Sequence, residues 1–168
     1  MNKAKKEETK ITLYPKNKSH YIKLIRFLKK LLSELHKHDI EPVLYGSLAC
    51  FFHSKDKDLK VNDIDFYVSE KSLPKIGRIL KKLRISHKYS KKWHVLEAYS
   101  NNLKIDFDSM DFWSKNIPKN YVYFEFSGLK VKSLDLKTLT KIYKKAYDEA
   151  HSKKEHYLYK LNLLKKIK

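Results

Sequence analysis

The stretch from Val43 to Val68 limits what this chain can become more than any other. It reads VLYGSLACFFHSKDKDLKVNDIDFYV. A short apolar run, Val43-Leu44-Tyr45, stops at Gly46-Ser47, and a second apolar segment, Leu48 to Phe52, follows. A charged loop then leads to Asp63-Ile64-Asp65-Phe66-Tyr67-Val68. Strand alternation puts Asp63 and Asp65 on one face, about 6–7 Å apart at their bases, and turns Ile64, Phe66 and Val68 into a core. Two unneutralised carboxylates side by side repel each other and call for a cation. Magnesium, which takes one or two carboxylates together with phosphate oxygens, suits such a pair.

Gly46-Ser47 supplies the complementary half. A glycine between a strand and a helix lets the backbone approach a ligand closely. The helix N-terminus behind it presents unpaired amides and a partial positive charge, which makes an anion site. A phosphate cradle followed by paired carboxylates is the equipment that nucleotidyl transfer requires. A further strand, Leu103-Lys104-Ile105-Asp106-Phe107-Asp108, adds acids to the set. Lys104, Asp106 and Asp108 share one face of it, and Leu103, Ile105 and Phe107 the other.

The order hydrophobic-Gly46-Ser47, then Asp63-Ile64-Asp65-Phe66, then Ile105-Asp106-Phe107 resembles the nucleotidyltransferase superfamily of DNA polymerase beta type. The spacing from Gly46 to Asp63 is similar to that in lincosamide- and aminoglycoside-type antibiotic nucleotidyltransferases and in abortive-infection nucleotidyltransferases. Asn62 stands where many relatives carry serine. The resemblance implies an α+β fold with an α/β-type core: a small mixed β-sheet flanked by helices, and a C-terminal helical segment. It implies that Asp63, Asp65 and Asp106 hold two Mg2+ ions, or Mn2+, with Asp108 as the alternative third acid. Gly46 and Ser47 would bind the phosphates of a nucleoside triphosphate such as ATP. Lys60, just ahead of the acidic strand, is a further candidate for the phosphates. Lys141 and Lys154 are candidates by resemblance alone. The implied reaction moves a nucleoside monophosphate onto an acceptor hydroxyl, on a small molecule such as an antibiotic, on a protein or on RNA. Two other readings stay open: a catalytically inactive relative serving as a binding protein or toxin–antitoxin component, and a lysine-rich RNA-binding domain.

Composition bounds these readings. The chain has 168 residues, enough for one core with a helical appendage. Lys and Arg number 38 against 19 Asp and Glu, a net charge of +19. Such a balance favours polyanionic partners, RNA included. Nearly all of it is lysine, which biased genome composition also produces. A single cysteine excludes a disulfide framework and fits a reducing cytoplasm. No stretch approaches the roughly 20 apolar residues of a membrane span. Zinc spacing, a Walker loop and a Gly-x-Ser-x-Gly elbow are all missing.

Along the chain, residues 1–16 read as a flexible basic arm with a short strand at 11–14. Residues 17–132 read as the core, and 133–168 as a C-terminal helical segment packed on it. Asn17 or Ser19 is expected to cap a helix over 20–37, and Ser72 another with Pro74 in its first turn. Hairpins are expected at Asn101-Asn102 and Ser127-Gly128. Tyr121 and Tyr123 would form an exposed row that stacks on a base or an aromatic acceptor. Ser133 would open one C-terminal helix, and a Ser152-Glu155 capping box a second with Leu158, Leu161 and Leu164 inward. Dimerisation could complete an acceptor pocket.

Overall fold

The computed structural model describes residues 8–167. Its centre is an eight-stranded mixed sheet in the order β1-β7-β8-β2-β3-β6-β5-β4. The strands are β1 Glu8–Ile11, β2 Val43–Tyr45, β3 Ile64–Val68, β4 Ser86–Ser90, β5 Val95–Ser100, β6 Leu103–Ser109, β7 Tyr121–Phe126 and β8 Leu129–Leu134. The helices are α1 Lys18–Lys37, α2 Gly46–Ser54, α3 Leu73–Lys82, α4 Met110–Trp113, α5 Leu136–Glu149 and α6 Lys154–Lys165. This is the expected α+β class. Among the described residues, no helix is long and apolar enough to cross a membrane.

The middle of the sheet is where alternation is strongest. Strand β3 runs parallel to β6 and antiparallel to β2, with Ile64 opposite Ile105, Asp65 opposite Asp106 and Phe66 opposite Phe107. Ile64, Phe66, Ile105 and Phe107 are fully buried on one face. The Phe66 and Phe107 rings stack with centroids 5.9 Å apart. Helix α1 contributes Leu24, Leu28, Leu31 and Leu35 to the same core, a 3.6-residue stripe buried along its whole length. Helices α5 and α6 pack on each other and on α2.

Side-chain hydrogen bonding departs from expectation at several helix starts. Asn17 occupies the N-cap position of α1, but its side chain is spent elsewhere. Its amide donates to the Val61 carbonyl at 2.8 Å, and its Oδ1 accepts from the Val61 amide at 2.9 Å. Ser72 does occupy the N-cap position of α3, with Pro74 in the first turn, but its backbone is helical, it ends the 3-10 turn Glu70–Ser72, and its hydroxyl pairs with Ser69 Oγ at 2.7 Å instead of capping. Ser133 lies in β8; α5 is capped by Asp135, whose carboxylate accepts from the Thr138 amide at 2.7 Å. Lys153, in the left-handed region, precedes α6, and no Ser152 capping box forms. Leu158 faces outward, while Leu161 and Leu164 are buried.

Four further corrections concern strands. The first strand lies at 8–11 and pairs parallel with β7, instead of at 11–14; residues 1–7 of the expected arm lie outside the described residues. The acidic strand begins at Ile64, leaving Asp63 in the bend before it. Strand β4 was not anticipated, because Ser-His-Lys-Tyr-Ser is polar throughout and pairs only along one edge of β5. Tyr123 is buried, so no exposed tyrosine row exists on β7; Tyr121 alone is exposed. Both expected hairpins form, with Asn101, Ser127 and Gly128 at positive φ.

Phe66→Ala removes a large ring from a filled core and is expected to lower the unfolding free energy by about 3–5 kcal/mol. Urea denaturation of both proteins measures the difference.

Candidate active site

The register of β2, β3 and β6 brings the acids together. Asp65 faces Tyr45 on β2 and Asp106 on β6, and Tyr67 faces Asp108. Each of Asp63, Asp65 and Asp106 offers a carboxylate oxygen within 4.8 Å of the others. One oxygen of Asp106, Oδ1, is buried and has no hydrogen-bond partner. An orphaned, buried carboxylate oxygen beside two more carboxylates is a donor set that fits a hard divalent cation.

Gly46 is the joint on which the cluster is assembled. It begins α2 at φ +70°, in the left-handed region. A Cβ there would lie 2.0 Å from Oδ2 of Asp65 and 2.9 Å from its Cβ. Only glycine lets the first turn of α2 sit against this carboxylate, so the N-terminus of α2 and the acid share one wall.

Positive charge enters from two sides. Lys104 Nζ donates to Oδ2 of Asp106 at 2.7 Å and lies 3.6 Å from Oδ2 of Asp63. Lys160, on α6, is 4% exposed and donates to Ser47 Oγ at 2.6 Å and to His156 Nε2 at 2.9 Å. Burial pushes the Lys160 ammonium down, and the Asp65 charge opposes that shift. Burial also holds the Asp65 carboxyl well above the usual range, with repulsion from Asp63, Asp108 and Asp106 adding to it. Asp106 is raised by burial too, against the hydrogen bond from Lys104.

Beyond the three acids lies Asp108. Its Oδ2 accepts from the Tyr45 hydroxyl at 2.6 Å, and Tyr45 stacks on Tyr67 with centroids 3.9 Å apart. Burial pushes the Asp108 carboxyl up to about 7, in spite of that hydrogen bond.

These groups border a cleft of about 920 Å³ between the sheet and α5–α6. Of the residues singled out in the sequence, Asp63, Asp65, Asp106, Gly46, Ser47 and Lys60 line it. Lys141 does not; it lines a separate groove with His53 and Thr140. Lys154 stands over the Tyr147 ring at 5.3 Å and does not line the cleft, whereas Lys153 does. Lys160 belongs to no motif in the sequence; its place among Tyr157, Leu161 and Leu164 in the inward stripe of α6 is the one signal that sets it apart from the other lysines. A second hollow of about 760 Å³ adjoins the cleft and shares Tyr67, Asp106, Asp108 and Trp113 with it. Its far side carries Trp93, Glu97 and Glu149.

Asp108 gives a pH-dependent signature. A carboxyl raised to about 7 in the fold, against about 3.9 when unfolded, withdraws stability as pH rises through that window. Asp108→Asn keeps an acceptor for Tyr45 and removes the charge. The variant is expected to match the wild type near pH 4 and to exceed it by up to about 4 kcal/mol at pH 8, read from urea midpoints across pH.

No protein-family model and no curated protein matches this chain. Solved structures do. A nucleotidyltransferase-like protein from Paracoccidioides brasiliensis superposes with a TM-score of 0.61 at 12% identity, over 84% of this chain and 74% of that one. ANT(2'')-Ia, in complex with adenylyl-2''-tobramycin, gives a TM-score of 0.59 at 11% identity, over 83% and 86%. A lincosamide antibiotic adenylyltransferase, lincomycin-bound, gives 0.57 at 11% identity, over 84% and 96%. With a mixed sheet in this register and these structural likenesses, the chain has the nucleotidyltransferase fold.

Proposed function

We propose that this protein transfers a nucleoside monophosphate from a nucleoside triphosphate to an acceptor hydroxyl. The observation that carries the reading is the Asp63–Asp65–Asp106 cluster, set against the N-terminus of α2 by Gly46 and left with an unpartnered buried oxygen on Asp106. A divalent cation held by these three acids, magnesium or manganese from the all-oxygen donor set, would offset the charge of the triphosphate and of the acids themselves.

The chain's own groups do the positioning. The amides at the start of α2 and the Ser47 hydroxyl bind the phosphate tail, as helix N-termini do for anions. Lys160, waiting on Ser47 Oγ inside the cleft wall, adds a charge-assisted donor where water is largely excluded. Lys60 and Lys153 border the same cleft and favour entry of an anionic ligand. The acceptor takes the adjoining hollow, so its hydroxyl arrives beside Asp106 and Asp108. That hydroxyl oxygen attacks the α-phosphorus, and the bond to the β-phosphate oxygen breaks, releasing pyrophosphate. The hydroxyl proton passes to one of these two carboxylates. Holding both reactants in one cleft, with charge already in place, is where most of the rate comes from. In this reading residues 17–132 carry the acids, and residues 133–168 bring Lys160 to the phosphates.

Calorimetric titration with ATP, GTP, CTP and UTP tests the proposal. Binding of a triphosphate is expected to require Mg2+, to vanish in Asp65→Asn, and to weaken 10- to 100-fold in Lys160→Met, about 1.4–2.7 kcal/mol. Asp65→Asn relieves carboxylate repulsion, so its thermal midpoint is expected to hold or rise. Triphosphate binding unchanged by both substitutions would contradict the assignment.

A further inference from the structure

Lys104 pairs with two of the acids that the resemblance assigns to metal. Its ammonium reaches Asp106 at 2.7 Å and Asp63 at 3.6 Å, bridging two of the three acids. Two divalent ions on this cluster would have to use the same carboxylates that Lys104 already pairs with. The lysine is not a loose surface chain. It rises from β6 two residues before Asp106, on the same face, and about a third of its side chain is exposed.

Lys104 leaves the rest of the cluster open. It takes Oδ2 of Asp106, while Oδ1 of that carboxylate is buried and unpartnered. An ammonium and a metal ion can therefore use different oxygens of one aspartate. The charges agree with this division. In the nucleotide-free cleft the four carboxylates of Asp63, Asp65, Asp106 and Asp108 are balanced by one divalent ion plus the ammoniums of Lys104 and Lys160, whereas a second divalent ion leaves an excess of positive charge in a half-buried site.

We propose that Lys104 is a tethered cation filling one of the two positions implied by the resemblance, so that the cluster takes a single divalent ion. The proposal rests on the nucleotidyl-transfer reading of the site. It gives Lys104 a positioning role, holding Asp63 and Asp106 together at the approach that a second metal would otherwise enforce.

The test counts Mn2+ bound to the full chain, from the electron paramagnetic resonance signal of the free ion. Wild type is expected to bind one Mn2+ that is lost in Asp65→Asn. Lys104→Met is expected to bind a second, and Lys104→Arg, which keeps the charge, to return to one. Circular dichroism melting checks that each variant is folded, and the wild-type count stands whether or not they are. Two Mn2+ in wild type, or one in a folded Lys104→Met, would overturn the lysine proposal and leave the transfer reading intact. No Asp65-dependent Mn2+ in wild type would overturn both.

Discussion

Mutual repulsion among Asp63, Asp65, Asp106 and Asp108 is the constraint around which the rest of the structure is built. Pairing β3 in parallel with β6 sets Asp65 directly beside Asp106, with Tyr67 and Asp108 as the next rung. Burial then removes most of the water that would screen these charges, and the carboxyls of Asp65, Asp106 and Asp108 are all held above their usual range. Such a cluster weakens the fold when empty. It survives because Phe66, Phe107, Ile64 and Ile105 bury a full apolar face on the opposite side of the same two strands.

Everything near the cluster supplies either charge or approach. Gly46 lets the first turn of α2 lie against Asp65, and Lys104 spans Asp63 and Asp106. Lys160 comes from the far end of the chain, where α6 packs on α2, and bonds Ser47 across 113 residues of sequence. The bend holding Asp63 is fixed from elsewhere again: the Asn17 side-chain amide donates to the Val61 carbonyl and accepts from the Val61 N–H, and His20 Nε2 is 2.8 Å from the Asn62 carbonyl. The geometry of the cluster thus depends on contacts from α1, α2, α6 and the sheet together, which is how preorganised sites are held rigid.

The sequence revealed the parts of the site whose chemistry is local. Gly46-Ser47 between two apolar runs, and acids alternating with Ile64, Phe66, Ile105 and Phe107, carry their meaning within a few residues. What it concealed depends on long-range packing. Lys160 is one lysine in a lysine-rich helix until α6 docks, and only then does it become a buried donor to Ser47. The sequence placed Lys104 on the acidic face of its strand, but its ion pairs required the β3–β6 register. The cap residues misled for a related reason: Asn17, Ser72 and Ser133 have side chains suited to capping, but Val61 claims the first, the Ser69 hydroxyl the second, and strand β8 the third. Strand β4 has no hydrophobic alternation to read, since an edge strand can remain polar on both faces.

The central claim is that one cleft holds the triphosphate with its tail on α2 and its reacting phosphorus beside the three acids. A crystal structure with Mn2+ and a non-hydrolysable α,β-methylene triphosphate addresses it most directly. The account predicts anomalous scattering between Asp63, Asp65 and Asp106, with phosphate oxygens on the Gly46 and Ser47 amides and on Lys160. Metal density away from these acids, or a triphosphate seated outside this cleft, would contradict it.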